Sequence, residues 1–223
     1  EQATGFGIMK NNNEGMITDF VEKPDPDDVP NWKSEVPDEL VEQNREYLAS
    51  MGIYIFNRTT INQLFEDNPE ATDFGKEIIP KAIEQNLKVS SYQYDGYWTD
   101  IGTIKSFFEA NLELTDPLPE FNLYDRDQMI YTRPRLLPAS KLSGSTLDRT
   151  VVAEGCIIEA SRIEHAVVGI RSRIGKGTTI ENSIIMGNDY YPSKEELYDS
   201  DSDQPMMGIG HRCFISNCIV DKH

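Results

Sequence analysis

Residues 151–185 read VVAEGCIIEASRIEHAVVGIRSRIGKGTTIENSII, and their rhythm belongs neither to a helix nor to an ordinary strand. Val152, Ile158, Ile163, Val168, Ile174, Ile180 and Ile185 recur at steps of five or six residues, whereas side chains return to one face every ~3.6 residues in a helix and every ~2 in a strand. Ile209, Ile215 and Val220 resume the step after an interruption. Small residues lie between the aliphatic ones, as in Ala153-Glu154-Gly155-Cys156 and Ile174-Gly175-Lys176-Gly177, where a chain turning a tight corner needs them. Short strands joined by such corners and stacked coil on coil form a parallel β-helix of hexapeptide repeats, with the aliphatic column pointing inward. A β-sandwich would instead show period-two alternation and longer intervals between turns. Gly187 to Met207 breaks the repeat and is expected to loop out from one corner, carrying Tyr190-Tyr191-Pro192 and an acidic run from Glu195 to Asp203.

Upstream of this domain the pattern changes. From residue 1 to about 115, strand-like and helix-like segments alternate, the signature of an α/β layer structure. Thr4 to Met9 and Met16 to Val21 flank the polar turn Asn11-Asn12-Asn13-Glu14-Gly15 and predict a hairpin. The apolar run Met51 to Phe56 predicts a buried strand, and a helix is expected from about Thr59 to Phe65. Phe74, Ile78, Ala82 and Ile83 recur at helical spacing behind Asp73 as N-cap, with Pro80 set to kink or limit the helix. Val89 to Tyr94 predicts a further strand. Ile104, Phe107, Phe108 and Leu112 mark one face of a last helix opening at Thr103. Between the two regions, residues 116–140 hold Pro117, Pro119, Pro134 and Pro138 without a clear period and read as an ordered linker, whose Phe121, Tyr124 and Tyr131 are expected to pack on something. The domain expectation is therefore 1–115, 116–140 and 141–223.

Composition narrows the function. Across 223 residues the formal net charge is −17, which argues against a nucleic-acid binder, because phosphate-backbone affinity rests on Lys and Arg. Acid concentrates between Glu22 and Glu46 and again between Glu195 and Asp203, and both runs read as solvated loops. Cys156, Cys213 and Cys218 show no CxxC spacing, so they read as small core or corner residues in a reducing, cytosolic setting. No stretch has the length or apolarity of a membrane span, and no signal-peptide pattern opens the sequence. Residue 1 is Glu and the first strand-like run starts almost at once, so the chain reads as cut from something longer.

Three clusters can carry chemistry. Phe20-Val21-Glu22-Lys23-Pro24 is a strand running out into a proline turn, with an ammonium that can donate to a phosphate oxygen beside a carboxylate that can accept from sugar hydroxyls. An exposed strand end is its plain structural reading. Tyr97-Trp98-Thr99-Asp100-Ile101-Gly102-Thr103 places a carboxylate on a Gly-containing turn, where Asp100 serves either as a ligand to octahedral Mg²⁺ or as a cap for the Thr103 helix. Ala49-Ser50-Met51-Gly52-Ile53-Tyr54 opens the predicted strand with small residues that let a ligand reach the backbone.

In order and nearly in wording, these motifs resemble the second half of the glucose-1-phosphate adenylyltransferases, or ADP-glucose pyrophosphorylases. The resemblance runs from Ala3-Thr4-Gly5-Phe6-Gly7-Ile8-Met9-Lys10 through Glu22-Lys23-Pro24, Ser50-Met51-Gly52-Ile53-Tyr54 and Asp73-Phe74-Gly75-Lys76-Glu77-Ile78-Ile79-Pro80 to Gly96-Tyr97-Trp98-Thr99-Asp100-Ile101-Gly102-Thr103. Tyr124-Asp125-Arg126, Tyr131-Thr132-Arg133-Pro134-Arg135-Leu136-Leu137-Pro138, Gly187-Asn188-Asp189-Tyr190-Tyr191 and Gly208-Ile209-Gly210 extend it, and the Tyr131–Arg135 linker and the Asp189-Tyr190-Tyr191 insertion look like the cyanobacterial and plant type. It implies an α/β nucleotidyltransferase portion, a mixed sheet with helices, followed by a left-handed parallel β-helix. It also implies a parent that transfers AMP from ATP to glucose 1-phosphate, giving ADP-glucose and pyrophosphate for glycogen or starch synthesis, in the cytoplasm or a plastid, as a homo-oligomer with tetramers the family expectation.

By the same resemblance, Lys23 contacts the phosphate of glucose 1-phosphate, Glu22 its hydroxyls, and Ser50, Gly52 and Tyr54 line the glucose pocket. Asp100 holds Mg²⁺. Anionic effectors of sugar-phosphate type are implied for Arg133 and Arg135, together with the position after Gly210, where His211 replaces the usual Lys. The family's Gly-rich, Arg-containing nucleotide loop is absent from these 223 residues, so no turnover is expected from them alone. Alternatives are another sugar-1-phosphate nucleotidyltransferase using mannose 1-phosphate, UTP or GTP; a hexapeptide-repeat acyltransferase acting through His165; and a non-catalytic assembly module.

Overall fold

The structure, a computed structural model, describes residues 2–36, 38–193 and 207–222. It divides into two compact units, Glu1–Asp95 and Gly96–His223. In the first, a 3₁₀ turn over Gln2–Gly5 leads into β1 (Gly7–Asn11), which pairs antiparallel with β2 (Ile17–Glu22) and with the short β3 (Leu48–Ala49). The hairpin is thus present, although its first strand starts at Gly7 rather than Thr4. Its turn is held by the Asn12 side chain, which accepts from the N–H groups of Glu14 and Met16 at 3.0 Å each, an Asx-type turn. The acidic loop that follows contains a 3₁₀ turn (Val29–Trp32) and α1 (Asp38–Glu42).

Helix α2 (Arg58–Asp67) opens on Asn57, whose side chain accepts from Thr59 N–H. A π-helical turn (Phe74–Ile78) then runs directly into α3 (Ile79–Glu84). The extra residue of the π turn lets Pro80 fall at the start of α3, where its missing N–H costs nothing. Leu64, Ile78 and Ala82 form the buried centre, with Phe56, Ile61, Ala71 and Val89 packed around it. Asp73 caps the turn as expected, accepting from Lys76 N–H at 2.8 Å, and Glu77 reaches back to the N–H groups of Thr72 (2.7 Å) and Asp73 (3.1 Å).

Those backbone donors, Thr72 first, hold the Glu77 carboxyl below its ordinary range. A carboxyl whose folded pKa is depressed contributes stability above its unfolded value and loses it as pH falls through the folded value. Glu77→Gln is therefore expected to flatten the decline in stability below the ordinary carboxylate range. Thermal melts from neutral to acidic pH check this, and parallel declines for both proteins would refute it.

Two predicted strands are absent as strands. Met51 to Phe56 bends at Gly52 and has no ladder partner among the described residues, with Ile53 at 71% and Ile55 at 98% exposure. Val89 to Tyr94 makes one antiparallel bridge, Ser90 with Met16, and leaves Tyr92 85% exposed. An apolar run becomes a strand only where its N–H and C=O groups meet a neighbouring ladder.

The second unit begins with α4 (Ile104–Glu113), capped by Thr103 and lying beside two strands of the domain that follows. Leu112 is buried as expected, but Ile104, in the first turn, is 81% exposed. Among the linker aromatics, Phe121 stacks on Tyr97 with ring centroids 5.9 Å apart, while Tyr124 and Tyr131 stand exposed, against the expectation that all three pack.

Beyond residue 140 the β-helix appears with the phase read from the sequence. β5 (Thr146–Val152), β7 (Arg162–Val168) and β9 (Thr179–Ile185) stack in parallel, and β10 (Phe214–Ser216) and β11 (Ile219–Val220) pair with β9. β4 (Lys141–Leu142), β6 (Ile157–Ile158) and β8 (Arg173–Ile174) form a second parallel face. Ile158, Ile163, Val168, Ile174, Ile180 and Ile185 build one core, on which Val152, Ile209, Ile215 and Val220 pack.

Arg149, His165, Asn182 and Asn217 occupy one corner at successive levels, all with positive φ between 41° and 54°. The Asn182 amide donates to the Asn217 carbonyl at 2.5 Å, stacking the last two levels. His165 is thus a corner residue. Cys156 lies inside the coil, where burial pushes its thiol up, and all three cysteines are free. The insertion leaves the corner at Gly187 and folds back, with the Tyr191 hydroxyl donating to Gly155 C=O at 2.8 Å. Its acidic run from Glu195 to Asp203 lies outside the described residues.

Candidate functional site

The leading end of β1 gathers the candidate residues of the first unit. Two consecutive carbonyls do this. Phe6 C=O accepts the Lys23 N–H at 3.0 Å, and Gly7 C=O accepts the Ser50 N–H at 2.7 Å. Glu22 stands directly opposite Gly7 in the β1–β2 register. The exit of β2 and the start of the Ser50 segment are therefore fixed to adjacent peptide units, although they are far apart in sequence.

Lys23 has φ 51°, the left-handed region, although it is not glycine and precedes the buried Pro24. A residue before proline ordinarily adopts extended backbone, and left-handed backbone costs an L-residue about 1–2 kcal/mol. Strain of this kind persists where its surroundings impose it, and it concentrates at ligand-handling positions. The Lys23 side chain is exposed and forms no ion pair among the described residues. Its ammonium is open to an anion.

Ser50, Gly52 and Tyr54 come together through one turn. Gly52, at φ 68°, donates its N–H to Ser50 Oγ at 3.2 Å, and the Ser50 and Tyr54 hydroxyls lie 3.2 Å apart. The Tyr54 ring stacks on Phe74 with centroids 5.8 Å apart. Phe74 precedes Gly75, which packs against the Glu22 side chain. An ammonium, a carboxylate, two hydroxyls and an aromatic face therefore surround one strand end. That set suits a phosphate joined to a polyhydroxylated ring.

Asp100 lies in the second unit, exposed on its turn, with Oδ2 accepting Gly102 N–H at 3.2 Å. It does not cap α4. Thr103 Oγ1 accepts Ser106 N–H at 3.0 Å, and Ser106 Oγ accepts Thr103 N–H at 3.1 Å, which closes a reciprocal box without Asp100. One open carboxylate suits Mg²⁺, which takes one or two protein carboxylates and completes its shell with water and substrate phosphate. Among the described residues no group of three acidic, His or Cys side chains gathers to hold a metal by itself.

Arg133 and Arg135 lie exposed on the extended linker. His211 is engaged in coil stacking, because its Nδ1 accepts the Lys176 N–H at 2.8 Å and leaves Nε2 as the nitrogen for a ligand. The sequence reading places Phe74 on a helix face and gives no part in the site to Gly7, Phe74 or Gly75. A glycine inside the first turn of a helix was the available signal.

Residues 1–117 match the nucleotidyl transferase family, and residues 135–223 match the GLGC left-handed parallel beta-helix domain. The chain belongs to the nucleotidyl transferase family. The chain is 41% identical, over 231 aligned residues, to the glucose-1-phosphate adenylyltransferase small subunit, chloroplastic/amyloplastic, of Triticum aestivum. The alignment takes in 100% of this chain and 49% of that relative, so this nucleotidyl transferase chain spans about half the length of the curated relative it matches. The second match gives the parallel coils read from the sequence their left-handed sense. No helix among the described residues is long and apolar enough to cross a membrane.

Proposed function

We propose that this chain supplies the sugar-phosphate side of a glucose-1-phosphate adenylyltransferase. The observation that carries the proposal is the assembly of Glu22, Lys23, Ser50 and Tyr54 around the Phe6–Gly7 strand end. A phosphate oxygen of glucose 1-phosphate attacks the α-phosphorus of ATP; the bond from the α-phosphorus to the bridging oxygen breaks, and pyrophosphate leaves with that electron pair. Lys23 holds the attacking phosphate, Glu22 accepts from glucose hydroxyls, and Ser50 and Tyr54 order the ring. No protein nucleophile is required, because alignment and charge neutralisation lower the barrier. Asp100 would hold Mg²⁺, which when bound neutralises phosphate charge. Arg133 and Arg135 are proposed to receive an anionic effector, with His211 Nε2 as a further donor.

The test is the protein at its full natural length, assayed with ATP, UTP and GTP against glucose 1-phosphate and mannose 1-phosphate. Preference for ATP with glucose 1-phosphate is expected. Preference for any other pair overturns the reading. In the same assay, activation and inhibition curves left unchanged by Arg135→Ala would remove Arg135 from the effector site.

A further inference from the structure

We infer that Gly7 and Gly75 are positioning residues that form a slot for the Glu22 side chain and so fix where its carboxylate meets the substrate. The inference rests on the proposed sugar-phosphate reading of this site. A Cβ placed on Gly7 would stand 2.6 Å from Glu22 Oε2 and 2.6 Å from Phe20 Cζ. A Cβ on Gly75 would collide with the same Oε2 and stand 2.9 Å from Glu22 Cδ and 3.4 Å from Cγ. One glycine therefore flanks the carboxylate from the strand and the other from the first turn of the Phe74–Ile78 helix.

Neither glycine is required by its own backbone. Both lie outside the positive-φ region that favours glycine, unlike Gly52. Each also weakens the element that holds it, since glycine is a poor helix former and packs nothing within a strand. What each position gains is room for Glu22. At Gly75 every atom that would be struck belongs to the flexible Glu22 side chain, so a methyl group there moves the carboxylate and leaves the backbone in place, whereas at Gly7 the Phe20 ring must give as well. The slot consequently acts on substrate position rather than on folding.

Gly75→Ala in the protein at its full natural length is expected to raise KM for glucose 1-phosphate about tenfold, the usual weight of one hydrogen bond to a charged group. KM for ATP should stay within about twofold, and Tm should be unchanged or higher because alanine favours the helix. Glu22→Asp should impair the glycine protein, but add little in the Gly75→Ala background, where the carboxylate is already displaced. An unchanged sugar-phosphate KM in Gly75→Ala, or fully additive effects in this cycle, overturns the slot. If Gly75→Ala fails to fold, Gly7→Ala combined with Phe20→Leu, which removes the ring it would also strike, meets the same oxygen from the strand side and gives the same readout with Phe20→Leu as its reference. Wild-type protein that does not turn over glucose 1-phosphate overturns the site reading instead, and the slot is then decided by a crystal structure of Gly75→Ala, where a Glu22 carboxylate left in its wild-type position overturns it.

Discussion

Ile180→Ala is expected to destabilise the β-helix unit by about 2–5 kcal/mol, the range for truncating a fully buried aliphatic side chain. Ile180 has no exposed surface and stands in register between Ile163 on one coil and Ile215 on another. A cavity at that level removes contacts from both neighbours. In a solenoid those neighbour contacts make up much of the stability, because each coil touches only the coils above and below it. Against a typical total of about 5–15 kcal/mol, the loss is large enough to move the unfolding midpoint far outside error. Phe214→Ala, on the same sheet but 69% exposed, is the control and should stay within about 0.5 kcal/mol of wild type. Denaturant unfolding followed by circular dichroism checks the pair. Equal midpoints for the two variants would mean that the Ile180 column is not packed as described.

That column was legible in the sequence because the hexapeptide step marks every inward position with an aliphatic residue. Packing and pattern are the same fact there. The first unit was harder to read. Met51 to Phe56 has strand composition, yet composition does not supply a partner, and Ile55 ends up 98% exposed. Capping was more faithful at Asp73, which satisfies a backbone donor three residues away, while the cap of α4 falls to Thr103 rather than to Asp100. Such bonds depend on local geometry and are readable locally.

The candidate site divides along the same line. Glu22 and Lys23 announce themselves by side-chain chemistry, Ser50 and Tyr54 only through the family resemblance, and the structure draws all four to one strand end. The Glu22 slot was not legible, because its makers contribute an absence of side chain. Register alone brings Gly7 across from Glu22, and only the tertiary fold brings Gly75 to the same carboxylate. The left-handed backbone at Lys23 was equally hidden, since the proline after it favours extended conformations.

That backbone makes Lys23 the position where stability and function should part. Lys23→Ala removes a charged hydrogen-bond donor from the proposed phosphate contact, which is worth about 1.5–3 kcal/mol, or roughly a 10- to 150-fold rise in KM for glucose 1-phosphate. Alanine keeps a Cβ in the left-handed region, so the strain remains. Lys23→Gly should lose the same contact, yet be about 1 kcal/mol more stable than Lys23→Ala, because glycine adopts φ 51° without strain. Steady-state kinetics at saturating ATP and thermal unfolding of both variants separate the two effects. If both keep the wild-type KM, Lys23 does not touch the phosphate; if Lys23→Gly is no more stable than Lys23→Ala, the backbone there is not strained. Weaker substrate binding in both variants, with a gain in stability only for glycine, would mean that the chain holds a lysine where glycine folds better, and the substrate contact would be the reason it does.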